Sequence, residues 1–237
     1  MANLKVLITG ATSGIGLALV ELYHSRGDKV IACGRDKEKL LALEHSATQT
    51  CLFDMTDEFS VDNAAKNIKS IDVLILNAGD CKYIDDVINF DSKSFSQIIS
   101  TNLTSLGCLL ANFLPKISKG GQVVFVSSSA TILPFPRSEA YGASKAGVDY
   151  LANSLRIDLK KHHIDVTLVH PGFVSTPLTH KNTFNMPFII TSEEAAIRMV
   201  KGIEQRKDYL HFPKRLTVLL KLFSWLPSPL WSKIIRK

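Results

Sequence analysis

Tyr141 and Lys145 stand as Tyr-x-x-x-Lys near the start of a helical segment that runs to about Lys161. Residues four apart share a helix face, which brings the Lys145 ammonium near the Tyr141 phenol. A phenol titrates near 10 and carries protons poorly at neutral pH. Lowering that by ~3 units takes roughly 4 kcal/mol of preference for the phenolate, which positive charge in a partly dry site can supply. The pair reads as an acid/base group with its cation, although the same spacing also arises on a solvated amphipathic helix. Upstream, the apolar run Val123-Val124-Phe125-Val126 ends in Ser127-Ser128-Ser129. A hydroxyl at the carboxyl end of a buried strand can donate to a carbonyl oxygen as negative charge builds there during hydride addition.

A second chemical signature opens the chain. Residues 4–8 have the branched apolar content of a buried strand, and helical patterning begins at Ile15, so Thr9-Gly10-Ala11-Thr12-Ser13-Gly14-Ile15-Gly16 is a sharp strand-to-helix turn. Free N–H groups and the positive helix end converge there, and a pyrophosphate can approach without a side-chain cation. The spacing Gly-x-x-x-Gly-x-Gly is one residue longer in its first gap than the commonest dinucleotide fingerprint; a plain tight connection would look alike. The second apolar run ends Ile31-Ala32-Cys33-Gly34-Arg35-Asp36. A carboxylate at this point binds a ribose 2′-hydroxyl and repels a 2′-phosphate, whereas an arginine accepts the phosphate. With Gly34 at the acid position and Arg35 following, NADP(H) is favoured over NAD(H). Alternatively, Arg35 only opens the segment Asp36-Lys37-Glu38-Lys39, which Asp36 can cap whichever cofactor binds.

These residues need a scaffold that gathers strand ends. Apolar runs at residues 4–8, 29–33, 49–53, 71–76, 122–126 and 165–169 alternate with helical segments. Strands too apolar to face water on either side imply a parallel sheet covered by helices on both faces, a single-domain, doubly wound α/β fold of about seven strands. Right-handed crossovers place the ligand along one edge of that sheet, where every motif above falls. A length of 237 residues suits one domain, and 46% hydrophobic with 21% charged residues describes an ordinary globule. No secretory pattern opens the chain, and no uninterrupted apolar stretch approaches the roughly 18 to 20 residues of a membrane span, so a cytoplasmic location is expected. Cys33, Cys51, Cys81 and Cys108 are scattered and read as reduced thiols. None of the seven histidines has metal-ligand company, and no metal is expected.

From Lys5 through about Thr176 the chain resembles a short-chain dehydrogenase/reductase. The match runs in order through Thr9 to Gly16, Asn77-Ala78-Gly79, Asn102, Ser128, Tyr141, Lys145 and Pro171-Gly172-Phe173-Val174-Ser175-Thr176. The family's serine lies thirteen residues before its tyrosine, which selects Ser128 unless a gap in Leu133-Pro134-Phe135-Pro136 shifts the choice to a neighbour. The resemblance implies a Rossmann-like fold. It implies that Tyr141 gives or takes the substrate proton, Lys145 lowers the tyrosine pKa and holds the nicotinamide ribose, Ser128 orients the substrate oxygen, and Asn102 anchors a water linking Lys145 to solvent. Gly10, Thr12, Ser13, Gly14, Ile15 and Gly16 would cradle the cofactor phosphates. Asp54, with Met55 beside it, would contact the adenine; Asn77, Ala78 and Gly79 the adenosine ribose; Pro171, Gly172, Val174 and Thr176 the carboxamide end. Asn77 and Asn102 could instead tie elements together. A homodimer or homotetramer with contacts near 92–117 and 140–160 is expected on the same ground.

The implied activity is an NADP(H)-dependent interconversion of a ketone or aldehyde and its alcohol; an NADPH-binding scaffold that docks through its tail is the alternative. Residues 178–191 occupy the place of the family's variable lid and carry Phe184, Met186, Phe188 and Ile189, which suits an apolar substrate; Tyr83, Leu133, Phe135 and Phe173 could line the same pocket. Asp208 is the last acid, and the six cations that follow it account for the whole formal charge of +6. The body is formally neutral, and no nucleic-acid partner is expected. Residues 1–212 read as the catalytic unit and 213–237 as a basic amphipathic extension. Along 214–226, Lys214, Thr217, Lys221 and Ser224 form one polar stripe on an otherwise apolar helix. Three readings fit it: contact with a membrane surface, a cover for the chain's own cleft, or a subunit contact.

Overall fold

The computed structural model describes residues 3–235. Strands β1 (Lys5–Thr9), β2 (Lys29–Gly34), β3 (Gln49–Leu52), β4 (Ile71–Leu76), β5 (Ile117–Val126), β6 (Asp165–Pro171) and β7 (Tyr209–Phe212) form one parallel sheet in the order 3-2-1-4-5-6-7. Six strands lie where apolar runs predict them. The seventh, Tyr-Leu-His-Phe, is a four-residue edge strand, and its outer neighbours are helices rather than water.

Helices α1 (Gly14–Ser25) and α7 (Ser192–Glu204) cover one face of the sheet; α3 (Glu58–Ala65), α5 (Ser105–Phe113) and α6 (Glu139–Leu159) cover the other. The two layers bury Tyr23, Leu19, Phe113 and Phe125 almost completely, and each such side chain contributes about 1.5–3 kcal/mol through loss of water contact. Short helix α2 (Lys37–Leu41) begins at Asp36, whose carboxylate accepts the Lys39 N–H at 3.1 Å. Helix α4 (Ser92–Ile99) runs through a π turn, Ser100–Thr104, into α5. By length and composition this Ser92–Lys116 stretch could span a bilayer, but Leu106, Leu109 and Phe113 are buried in the core beneath it.

The strand order reverses between β1 and β4, where two loops leave the sheet in opposite directions. Thr9 ties them together: its hydroxyl oxygen accepts the N–H groups of Asn77 (3.0 Å) and Ala78 (3.1 Å), and Asn77 Nδ2 donates to the Thr9 carbonyl (3.0 Å). The four cysteines are free. Cys33 and Cys51 are nevertheless direct register partners across β2 and β3, a proximity that their spacing in the chain hides.

After β7 the chain forms α8 (Lys214–Phe223) and α9 (Ser228–Ile235). The polar stripe of α8 is turned inward at Thr217, which is fully buried and bonded to His211 Nδ1 (2.6 Å) and the Pro213 carbonyl (3.1 Å). Lys221 Nζ lies 4.4 Å from the Tyr209 ring centroid. Leu216, Leu220 and Trp231 pack with Leu133, Phe135 and Phe173, and the Trp231 indole N–H donates to the Pro134 carbonyl at 2.8 Å. Leu216 and Leu220 thus face the body together with Thr217 and half-buried Lys221, while Lys214 and Ser224 of the stripe stay exposed, so α8 docks by an edge that mixes apolar and polar side chains.

Candidate active site

The carboxyl ends of β1, β2, β4, β5 and β6 enclose a cleft of about 500 Å³. Gly10, Thr12, Ser13, Gly14 and Ile15 line one side; Arg35, Asp54 and Met55 line one end; Asn77, Ala78, Gly79, Pro171, Gly172, Val174 and Thr176 line the rest, with Ser128, Tyr141 and Lys145 in the same wall. Two expected residues stand behind it. A Cβ on Gly16 would lie 2.0 Å from the Gly10 carbonyl oxygen, so Gly16 shapes the loop rather than facing the cleft. Asn102, 1% exposed, is screened by Gly79, where a Cβ would meet both Asn102 Oδ1 and Lys145 Nζ at 3.3 Å.

The three catalytic candidates are fixed by different elements. Ser128 follows β5 and opens a short turn, its Oγ accepting the Ala130 N–H at 3.1 Å, which leaves its hydroxyl hydrogen free to donate. Tyr141 and Lys145 lie one turn apart on α6, with Nζ 5.9 Å from the phenol ring centroid. Ser127 Oγ donates to the Lys145 carbonyl (3.2 Å), and Lys145 Nζ donates to the Val126 carbonyl (2.9 Å), locking the helix to the strand end.

The electrostatics differ from the expectation that Lys145 already draws Tyr141 down. Burial pushes the Tyr141 phenol up to about 12, with the Ser128 hydroxyl partly offsetting it, and the Lys145 ammonium donates to the Val126 carbonyl. Burial lowers Lys145 to about 8, opposed by the Asp149 carboxylate. Asp149 accepts from His170 Nε2 at 2.9 Å, and His170 Nδ1 accepts the Tyr209 hydroxyl at 2.9 Å, so His170 has a packing and hydrogen-bonding place beneath the site. The Asn102 side chain ties elements together, Oδ1 accepting the Asp80 N–H (2.8 Å) and Nδ2 donating to the Asp80 carbonyl (2.8 Å) and Ser144 Oγ (2.9 Å). Both Nδ2 hydrogens are used, and Oδ1 keeps one acceptor site. Asp54 is held below the usual carboxylate range first by the Thr56 N–H.

Lys39 and Lys181 also line the cleft and were not signalled by any motif. Lys39 lies four residues past Arg35 on α2, the spacing that could have disclosed it. Tyr83, Leu133, Phe135 and Phe173 do not wall this cleft; the last three are packed against the tail. Tyr83 pins the lid instead, donating its hydroxyl to Asn182 Oδ1 (2.8 Å) and packing edge-on against Phe184 (5.9 Å).

A family model for short chain dehydrogenases matches residues 4–186. The chain belongs to the short-chain dehydrogenase/reductase family. An uncharacterized oxidoreductase of Myxococcus xanthus is 32% identical, the alignment covering 100% of this chain and 98% of that one. A short-chain dehydrogenase of Burkholderia cenocepacia, solved with NADP, shares the fold at a TM-score of 0.87 and 24% identity, covering 99% of this chain and 98% of its own. Another, from Burkholderia phymatum and solved with NAD, covers 94% of each chain at a TM-score of 0.83 and 19% identity. This short-chain dehydrogenase/reductase is an oxidoreductase enzyme, and the family's nicotinamide cofactor fits the residues present. Helix α1 starts at Ser13 with no side-chain cap and no acid in its first turn, leaving N–H donors for a phosphate. Gly34 at the end of β2 has no side chain, and a Cβ there would approach Thr12 Cγ2 to 2.9 Å, so the cleft stays open at this point; the nearest carboxylate in its lining along the chain is that of Asp36.

Proposed function

We propose that this enzyme reduces a hydrophobic ketone or aldehyde to its alcohol with NADPH. The observation that carries the reading is the convergence of Ser128, Tyr141 and Lys145 in the wall of the cleft that also holds Arg35. A reduced nicotinamide, when bound, supplies the hydride that adds to the carbonyl carbon. Ser128 donates its hydroxyl to the substrate oxygen, and Tyr141 delivers the proton that completes the alcohol. Lys145, released from the Val126 carbonyl, stabilises the phenolate left behind. Gly10 to Ile15 hold the phosphates, Asp54 and Met55 the adenine, Asn77 to Gly79 the adenosine ribose, and Pro171, Gly172, Val174 and Thr176 the carboxamide. Arg35, with Lys39 beside it, supports NADP(H) over NAD(H): both cations line the cleft, and the Asp36 carboxylate there is partly offset by its cap on α2 and its 3.3 Å pair with Lys39.

The apolar composition of the 178–191 lid is the support for an apolar substrate; its Phe184 packs on Tyr83 and Phe173, and none of Phe184, Met186, Phe188 and Ile189 lines the cleft itself. For assembly, Tyr150 and Ile157, 81% and 77% exposed on α6, support a helix-to-helix contact between copies of the chain. The 213–237 segment is read as an extension of the 1–212 catalytic unit; its Leu216, Leu220 and Trp231 pack on Leu133, Phe135 and Phe173. NADPH and NADH oxidation is followed over carbonyls running from small ketones to long-chain and polycyclic ones. Turnover with NADPH on the apolar members is expected, and Arg35→Ala should raise the KM for NADPH about ten- to a hundredfold while leaving that for NADH unchanged. Equal use of both cofactors by the unmodified enzyme would remove the NADP(H) assignment.

A further inference from the structure

The outward face of the C-terminal helix pair has the opposite character to its inward one. Helix α8 presents Arg215, Val218, Leu219 and Leu222 to solvent at the i, i+3, i+4, i+7 spacing of one helix face. Trp225, in the turn that follows, is 85% exposed, and α9 adds exposed Leu230 and Ile234. Six apolar side chains so placed form a ridge along both helices. Lys214, Arg215 and Lys233 are exposed along it, and among the described residues no carboxylate pairs with any of them.

We propose that this ridge docks the protein on an anionic lipid bilayer surface. Charge selects that occupant: the segment after Asp208 carries every unbalanced cation of the chain and no acid, so two copies facing each other through it repel. A bilayer with anionic headgroups attracts the cations, takes the leucines and isoleucine into the acyl boundary, and holds an indole at headgroup depth. The inward contacts fix the ridge in place, because Thr217, Leu220 and Trp231 seat the helices on the body and leave the outer side chains free. The wall they cover contains Phe173, next to Gly172 of the cleft, so docking would set the site beside the lipid surface. The binding itself does not depend on the reductase reading.

The test uses the full chain with vesicles of phosphatidylcholine alone and of phosphatidylcholine containing phosphatidylglycerol. Co-sedimentation with the anionic vesicles only, reversed by high salt, is expected. Trp225 should move to shorter emission wavelengths on binding; Trp231, already 6% exposed, should not, so Trp225→Phe removes the shift. The double variant Leu222→Glu/Trp225→Glu should weaken partitioning at least about tenfold with an unchanged melting temperature. Absence of sedimentation, or equal sedimentation of the double variant, overturns the proposal. A lipid-free dimer that the double variant dissolves, without vesicle binding, overturns it in favour of a second copy.

Discussion

The floor of the cleft and the outer face of α8–α9 invert each other. At the floor, polar side chains that ordinarily sit in water are buried: Lys145 is 5% exposed and Asn102 1%, and each is held by a carbonyl or amide partner. On the outer face, apolar side chains that ordinarily sit in a core are in water, beside cations that no carboxylate pairs with among the described residues. Both arrangements carry a cost in the isolated chain. The difference lies in what resolves it: the floor is completed from within by hydrogen bonds, the outer face only by something outside the fold. One region is built to do chemistry and the other to meet a surface.

The widest break in this comparison comes from Tyr141→Phe. The change removes one hydroxyl and keeps the packed ring, so binding of NADPH, followed by its fluorescence, should persist. Turnover should fall by about 10²- to 10⁴-fold, the range for losing a positioned acid. A variant that keeps most of its carbonyl reduction would take the floor out of the chemistry and favour a cofactor-binding scaffold.

Within the tail, inward and outward tryptophans should separate cleanly. Trp231→Ala opens a cavity against Phe135, Phe223 and Leu133 and strands the Pro134 carbonyl, and should cost about 3 kcal/mol in urea unfolding. Trp225→Ala should change stability by less than about 0.5 kcal/mol. Similar losses at both positions would mean that the ridge belongs to the core after all.

Sequence patterning discloses the floor better than the tail, for physical reasons. Tyr141, Lys145, Ser128 and the loop at Thr9 to Gly16 have fixed spacings on a helix, a strand end and a turn, and strands β1 to β6 coincide with runs apolar enough to stand out. Strand β7 is missed because four residues with a histidine among them have too little period to register. The orientation of α8 stays open in the sequence because amphipathic spacing says that a helix has two faces, not which one is inside. Thr217 turns inward to His211, on the edge strand that the patterning does not disclose, and to the Pro213 carbonyl just after it. Cys33 and Cys51 become neighbours only through strand register, and Lys181 reaches the cleft from a lid whose path no motif specifies.

The smallest predicted effect concerns how the floor is held. Lys145 is charged below about 8 and neutral above it, and only the ammonium can stabilise the Tyr141 phenolate. Carbonyl reduction should therefore fall as pH rises through about 8. Stability of the ligand-free protein should move the other way over the same window. The folded chain sheds the Lys145 proton at about 8 and an unfolded lysine only near its ordinary 10.5, so between these values the unfolded state binds more protons and this group's contribution to folding rises with pH. Asp149 opposes the loss of charge from within the fold, anchored by His170 and Tyr209. Asp149→Asn should move the alkaline fall in turnover to lower pH while leaving the plateau rate within about twofold, and leave vesicle binding by the ridge, to which Asp149 does not belong, unchanged. An unmoved pH profile would show that the Val126 carbonyl alone sets the charge of Lys145.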